Sequence, residues 1–253
     1  MTENHPREAQ ITVALARAGV YRLLGGALGY PVGWRFDELA RLAGAAAAMP
    51  AAPPALREPL ARFAAVAAEA DPASVAGEYV FLFDREVRCP PYESAYGEAP
   101  QLAGKPAALA DIAGFYAAFG LAPAHAQPDL EDHIAAELEF MSALLIKEAY
   151  ALAEGHHEGL EVTRRAATAF FRDHLGRWVE AFAEAVKTAT PLPYYGALAD
   201  LLAAWARAEA AALGVEPARF SSRLGYDPVQ EEESFTCPMA EPEPPLPAVE
   251  RAE

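Results

Sequence analysis

The chain has 253 residues, of which 53% are hydrophobic and 22% are charged, and its formal net charge is −16. This composition supports a sizeable buried core and excludes disorder over the whole length. The acidic balance argues against nucleic acid and acidic membrane surfaces as partners, and it favours a basic peptide. The cysteines, Cys89 and Cys237, are too few for a disulfide framework, so a reducing compartment fits.

The first residues are polar and include acids, so they do not resemble a secretory signal. No uninterrupted apolar stretch reaches the length expected of a membrane span. The sequence therefore predicts a cytoplasmic protein without stable membrane association.

Alanine, leucine, glutamate and arginine dominate and strand signals are nearly absent, which predicts an all-α fold. The predicted helices end at glycine or proline. A glycine-rich run at Gly25–Gly29 follows no strand, so it indicates a helix end and not a phosphate loop. The first predicted helices cover about 8–28, 36–48 and 56–70, and a short fourth helix follows Asp71-Pro72. Further helices cover about 106–119 and 132–153, and the last one follows Pro193. Between these, one helix carries Phe170, His174, Trp178 and Phe182 at i, i+4 spacing.

Two segments depart from this helical pattern. Arg85–Lys105 is rich in proline, glycine and tyrosine, and a long aromatic loop inside a compact domain is usually functional. From Asp227 onward glutamate and proline crowd together, which predicts a disordered acidic tail. The predicted organisation is therefore a single helical-bundle domain over residues 1–226 and a tail over residues 227–253.

Residues that could carry chemistry form no complete catalytic set. His133 and Glu137 lie one turn apart on a predicted helix, which fits either half a metal site or a polar contact that fixes a helix start. Ser94 is not in a nucleophile elbow. Cys89 follows Arg88, so it is either an activated thiol or a plain loop cysteine.

A binding surface is the stronger interpretation of the region between the fourth helix and the loop. Its apolar and aromatic side chains are Tyr79, Leu82, Phe83, Tyr92 and Tyr96, and the flanking acids are Glu78, Asp84, Glu86, Glu93 and Glu98. Aromatic groups ringed by carboxylates suit a peptide that carries both basic residues and an apolar stretch. The alternative is that these aromatic residues fill the core between helices.

Four segments together resemble the TorD/DmsD-type chaperones, which belong with the assembly (delta) subunits of nitrate reductase. They are Glu78-Tyr79-Val80-Phe81-Leu82-Phe83, Pro90-Pro91-Tyr92-Glu93-Ser94-Ala95-Tyr96, Asp132-His133-Ile134-Ala135-Ala136-Glu137-Leu138-Glu139-Phe140-Met141, and Phe171-Arg172-Asp173-His174-Leu175-Gly176-Arg177-Trp178 with Phe182. The likeness departs at Asp84–Arg88, where many relatives carry a Gly-Pro element. Pro128 also lies further from Asp132 than is usual, and these differences look more like chaperones of the dimethylsulfide, ethylbenzene or selenate enzyme group.

The resemblance implies an all-helical protein without enzymatic activity and without a cofactor of its own. Such chaperones bind the twin-arginine signal peptide on the catalytic subunit of a molybdenum-containing oxidoreductase of the dimethyl sulfoxide reductase type, until the molybdopterin cofactor is inserted. The enzymes that such chaperones help to assemble act in anaerobic respiration. The positions that match the family's peptide-binding region are Tyr79, Leu82, Phe83, Tyr92, Glu93, Tyr96, Asp132 and His133.

Two other functions stay open at this point. One is a metal-dependent helical enzyme that uses His133 and Glu137, with His157 as a further ligand. The other is a permanent structural subunit of the assembled complex. The expected state is a monomer or a dimer that exchanges domains through the Arg85–Lys105 loop.

Overall fold

A computed structural model describes residues 4–31, 35–50, 52–85, 87–96, 105–122 and 131–220. The expected tail over residues 227–253, its boundary at 226 and the second half of the predicted loop lie outside these residues. Within the described part the fold is all-α, as predicted. Its only strand-like contact there is an isolated antiparallel bridge between Tyr92 and His133.

The described helices follow the predicted order. They are α1 (Asn4–Leu28), α2 (Arg35–Ala48), α3 (Pro54–Ala68), α4 (Pro72–Tyr79), α5 (Lys105–Ala118), α6 (Ile134–Glu154), α7 (His157–Phe170), α8 (Gly176–Ala189) and α9 (Pro193–Leu213). A π-helical turn, Val80–Asp84, continues α4, and another, Phe171–Leu175, joins α7 to α8. A 3₁₀ turn at Glu93–Ala95 lies within the predicted loop.

Local chemistry explains several helix ends. The Asp71 carboxylate accepts a hydrogen bond from the Ser74 backbone N–H at 2.9 Å, and Pro72 occupies the first turn of α4, where its missing N–H costs nothing. The carboxylate's bonds to Ser74 lower the pKa of Asp71. At the other end, Gly155 closes α6 with a φ of 69°, a left-handed conformation that favours glycine.

The π-helical turn between α7 and α8 explains the spacing of four buried residues. Phe170, His174, Trp178 and Phe182 recur every four residues, and all four are buried. In a regular α-helix each such step rotates the side chain by about 40°. The wider π turn at Phe171–Leu175 counteracts that rotation, so the series stays on the core side.

The N-terminal helix α1 is central to the packing. It lies antiparallel to α6, where the Ser142 hydroxyl donates to the Ala18 carbonyl at 2.9 Å. On another side, Arg17 forms a bidentate ion pair with Glu209 of α9 at 2.9 and 2.7 Å. The Tyr21 hydroxyl adds a third bond to Glu209 at 3.1 Å. These contacts hold α1 between α6 and α9.

Helix α1 bears on the prediction that no uninterrupted apolar stretch is long enough to span a membrane. By length and composition alone Pro6–Leu28 could cross one, with a mean hydropathy of 1.3 over its 18-residue window, but Arg17 and Arg22 interrupt it. Half of that window is buried inside the fold, which is what the core helix of a soluble domain shows as well. Apolar character in α1 is therefore explained by its packing on α6.

Candidate functional site

A cavity of about 740 Å³ opens between the C-terminal end of α1, the start of α2, the α4 π turn and the N-terminal end of α6. Its lining residues are Arg22, Gly25, Gly26, Gly29, Tyr30, Arg35, Glu38, Leu39, Leu42, Tyr79, Phe83, Asp84, Pro91, Tyr92, His133, Ala135 and Glu139. Pockets of this size are typical of sites that bury a small ligand or part of a peptide.

The structure brings the predicted peptide-binding residues together in two layers. Four of them line the cavity: Tyr79, Phe83, Tyr92 and His133. The other four, Leu82, Glu93, Tyr96 and Asp132, are buried and do not line it. This second layer therefore holds the first in place and does not itself form the surface of the cavity.

Backbone pairing fixes the loop segment to the start of α6. The Glu93 N–H donates to the Asp132 carbonyl at 3.0 Å, and the Ile134 N–H donates to the Pro91 carbonyl at 2.8 Å. The Asp132 carboxylate also accepts from the Ser94 N–H at 3.0 Å. Three hydrogen bonds thus set the position of Tyr92 on the cavity wall.

His133, and not Asp132, caps α6. Its Nδ1 accepts a hydrogen bond from the Ala135 N–H at 3.2 Å, and its ring meets the Tyr92 ring edge-on at a centroid distance of 5.2 Å. Asp132 does not cap this helix, because its carboxylate accepts from the Ser94 N–H instead. His133 does fix the helix start, but through the Ala135 N–H and not through a contact with Glu137, whose carboxylate accepts from Trp178.

Asp132→Ala is expected to lower the free energy of unfolding by about 1 kcal/mol, because the partly buried Ser94 N–H loses its acceptor. Removing a carboxylate near Glu137 offsets part of the loss. Urea unfolding followed by circular dichroism measures the difference. A variant as stable as the wild type would show that Ser94 finds another partner.

An aromatic cluster forms one side of the cavity. The Tyr79 ring packs edge-on against Phe83 at 5.1 Å and against Tyr30 at 5.3 Å between ring centroids. Tyr30 keeps 53% of its surface exposed, and it was not among the predicted site residues. Its place directly after Gly29, at the end of a glycine-rich helix terminus, is the signal that could have indicated it.

Glycines of α1 form the side of the cavity opposite the aromatic cluster. The sequence indicated these glycines only as a helix end. A Cβ placed on Gly25 would lie 3.4 Å from Glu139 Cγ and 3.5 Å from the Ala135 carbonyl oxygen. Glycine therefore lets α1 and α6 approach closely where the cavity begins. α1 does end at Leu28, so the helix-end interpretation is confirmed as well.

The charged groups of the cavity carry both signs. Arg22 and Arg35 line it together with Glu38, Asp84 and Glu139. Partial burial raises the pKa of Glu139, while the nearby charges of Arg35 and Arg22 lower it less strongly. The cavity is therefore a polar pocket with an aromatic side.

The predicted ring of five acids is only partly present. Asp84 lines the cavity, but Glu93 is buried beneath it, and Glu78 accepts a hydrogen bond from the Thr190 hydroxyl at 2.6 Å. Glu86 and Glu98 lie outside the described residues. Glu38 and Glu139 supply acids that the sequence pattern did not indicate.

A buried polar network lies beneath the cavity. His174 Nδ1 is 3.0 Å from the Glu93 carboxylate, and His174 Nε2 is 3.1 Å from the Asp111 carboxylate of α5. Nearby, the Trp178 indole donates to the Glu137 carboxylate at 3.2 Å. The network ties the Tyr92–Tyr96 segment to α5, α6 and the α7–α8 junction.

The metal-site alternative gains no support from this geometry. Glu137 bonds Trp178 in the first turn of α6, and His133 caps that helix. His157 begins α7, at the far end of α6, and a helix of 21 residues spans about 30 Å. Among the described residues, no group of three or more metal-binding side chains is present.

Cys89 lies in the protein interior and is not an activated thiol. Burial raises its pKa to about 12, although the charge of Arg88 lowers it slightly. Its N–H donates to the Leu82 carbonyl at 2.9 Å. The interpretation of Cys89 as an ordinary structural cysteine is therefore favoured.

A match to the nitrate reductase delta subunit family covers residues 49–184, more than half of the chain. This protein belongs to that family. The match includes all eight predicted peptide-binding positions, whereas the α1 wall of the cavity lies outside it. The resemblance to the TorD/DmsD-type chaperones is confirmed at the level of the family.

Two curated relatives of this family member are named as chaperones. A chaperone protein TorD from Photobacterium profundum is 36% identical over 124 residues, which are 49% of this chain and 55% of that protein. A perchlorate reductase assembly chaperone protein from Dechloromonas aromatica is 32% identical over 126 residues, with the same coverage of 49% and 55%. The chain spans about half the length of these relatives. Their names agree with the prediction that this protein is not an enzyme.

Proposed function

We propose that this protein is a cytoplasmic assembly chaperone that binds the twin-arginine signal peptide of a molybdoenzyme's catalytic subunit until the cofactor is inserted. The observation that carries the proposal is the cavity of about 740 Å³, whose lining includes aromatic side chains and the acids Glu38, Asp84 and Glu139. Family membership and the two chaperone relatives support it. The chain itself is proposed to hold no cofactor and to act as a monomer or a domain-exchanged dimer.

The lining groups suit such a peptide. Carboxylates of Glu38 and Asp84 attract arginine side chains, and charge-assisted hydrogen bonds to them are stronger than neutral ones. The faces of Tyr79 and Tyr30 offer a surface on which a guanidinium or an apolar side chain packs. All of these contacts are non-covalent, so the catalytic subunit can leave when assembly ends.

The direct test is titration calorimetry with a synthetic peptide that carries two adjacent arginines followed by an apolar stretch. We expect a dissociation constant of about 1 μM or below, which rises with salt because charges contribute. A peptide with both arginines replaced by glutamine is expected to bind at least about tenfold more weakly. If neither peptide produces heat or competes for the site, the proposed function is wrong.

A pair of matched charge variants localises the arginine site. Glu38→Gln with Asp84→Asn removes two acids from the cavity, and Glu158→Gln with Glu161→Gln removes two exposed acids from α7. Both variants change the net charge equally. We expect only the first to weaken binding of the arginine peptide, by roughly tenfold. Equal effects would mean that overall charge, and not the cavity, attracts the peptide.

A further inference from the structure

Several large apolar side chains are exposed on the outer face of the α1–α6 pair. Leu15 of α1 and Ile146 of α6 are each 50% exposed, and Tyr150 of α6 is 68% exposed. Exposed apolar groups that cluster mark interaction sites more often than those scattered singly. These three residues are called the α1–α6 seam below.

The register of the two helices places the seam residues side by side. Ala18 contacts Ser142, and Gly25 lies against Ala135 and Leu138, so the helices run antiparallel. In this register Leu15 falls opposite Ile146, one turn before Tyr150. Residues seven apart share a helix face, so the face that carries Leu15 also carries Arg22, and the face of Ile146 carries Glu139.

The seam therefore leads into the cavity. Arg22 and Glu139 line its mouth, and their charges interact. Between them and the seam lies Gly19, where a Cβ would have no neighbour within 4 Å. A continuous strip of surface thus runs from the charged cavity past Gly19, where no side chain projects, to the exposed apolar side chains of the seam.

We propose that the α1–α6 seam binds the apolar segment of the signal peptide whose arginines occupy the cavity. This rests on the proposed function and assigns a second subsite to it. Three of the charged side chains that line the cavity, Glu38, Asp84 and Glu139, are acids that suit arginines, and the charged lining as a whole disfavours a long apolar stretch. A peptide anchored there needs an adjacent apolar surface, and the seam continues from the cavity mouth.

The dimensions agree with this occupant. From Glu139 to Tyr150 the strip follows eleven residues of α6, or about 17 Å at 1.5 Å per residue. The apolar segment of a signal peptide has about 7–15 residues, which as a helix span roughly 10–22 Å. By contrast, the exposed Val13 faces a separate groove, and Val162 lies on α7.

The test uses two peptides and two variants of the full chain. The long peptide carries two arginines and an apolar stretch, and the short one ends after the arginines. The seam variant combines Leu15→Gln, Ile146→Gln and Tyr150→Gln. The control combines Val13→Gln and Val162→Gln, which are 45% and 43% exposed but lie elsewhere.

We expect the seam variant to bind the long peptide roughly tenfold or more weakly and the short peptide as well as the wild type does. The control variant should bind both peptides like the wild type. Equal affinity of seam variant and wild type for the long peptide would overturn the seam while leaving the cavity proposal intact. Weaker binding of the short peptide would also overturn it, because the seam would not be a separate subsite.

Failure of the wild type to bind either peptide would overturn both proposals. Sedimentation that shows a wild-type dimer, lost in the seam variant, would assign the seam to a second copy instead.

Discussion

His174→Leu is expected to lower the free energy of unfolding by about 3–5 kcal/mol, because it leaves the Glu93 carboxylate buried without its partner. The side chains of both residues are only 6% exposed, and their atoms are 3.0 Å apart. Chemical unfolding at several pH values measures the loss. The Tyr92–Tyr96 segment should loosen first, because Glu93 belongs to it.

The loss should depend on pH in a definite direction. Burial lowers the pKa of His174, but the hydrogen bonds and charges of Glu93 and Asp111 outweigh it, so the pKa lies above its ordinary value of 6.5. A folded-state pKa above the unfolded one stabilises the fold fully below pH 6.5. This contribution is lost as the pH rises through the raised pKa. The difference in the free energy of unfolding between wild type and variant is therefore largest in mild acid and smaller in alkaline solution.

The neighbouring Arg172–Asp173 ion pair provides a control. Its side chains are 51% and 47% exposed, so Arg172→Leu should lower the free energy of unfolding far less than His174→Leu does. A double variant with His174→Leu and Glu93→Gln should recover part of the loss, since the unpaired charge is gone. No recovery would mean that His174 stabilises by packing alone.

Glu137→Gln is expected to stabilise the protein by about 1–3 kcal/mol at neutral pH, the opposite sign to the first variant. Glu137 is fully buried, and one of its oxygens has no hydrogen-bond partner in the described structure. Burial raises the pKa of Glu137 well above its ordinary value of 4.5, and the charges of Glu93 and Asp132 add to this. Glutamine removes the charge but keeps an oxygen that accepts from Trp178.

The pH dependence follows from the raised pKa. The folded protein keeps the Glu137 proton longer than the unfolded chain does, so wild-type stability falls as the pH rises from 4.5 towards the folded-state pKa. The glutamine variant lacks this fall, so the two proteins should be equally stable below pH 4.5 and diverge above it. Glu161→Gln, at an exposed position of α7, should stay within about 0.5 kcal/mol of the wild type at all pH values. A destabilised Glu137→Gln protein would contradict this prediction, because leaving the glutamine N–H groups unpaired would then cost more than removing the buried charge gains.

Much of the fold could be predicted, because helix signals are local. Glycine or proline marks the end of α1 and the start of α3 and α9. The predicted bounds of α1 and α3 differ from the observed ones by a few residues at most. The π-helical turns were not predicted, since no side-chain pattern distinguishes them from one extra residue in an α-helix. The i, i+4 series through His174 was visible, but its cause was not.

Part of the site was predicted, and that prediction came from the family resemblance. Tyr79, Phe83, Tyr92 and His133 do meet at the cavity, although they come from separate segments. Tyr30 and Arg35 were missed because helical periodicity shows which face is buried and not which distant helix lies opposite. For the same reason, the contact between Glu93 and His174, 81 residues apart, could not be inferred from either segment alone.

The two sides of the cavity come from separate parts of the chain. One side belongs to α1 and α2, and the other lies within the matched span 49–184. A chimera that takes its first 48 residues from another family member would keep Tyr79, Phe83, Tyr92 and His133, and would replace the glycines, Tyr30 and the Leu15 face of α1. Under the proposed function, such a chimera should change which client peptide is preferred, provided that the exchanged piece keeps the α1 contacts to Ser142 and Glu209.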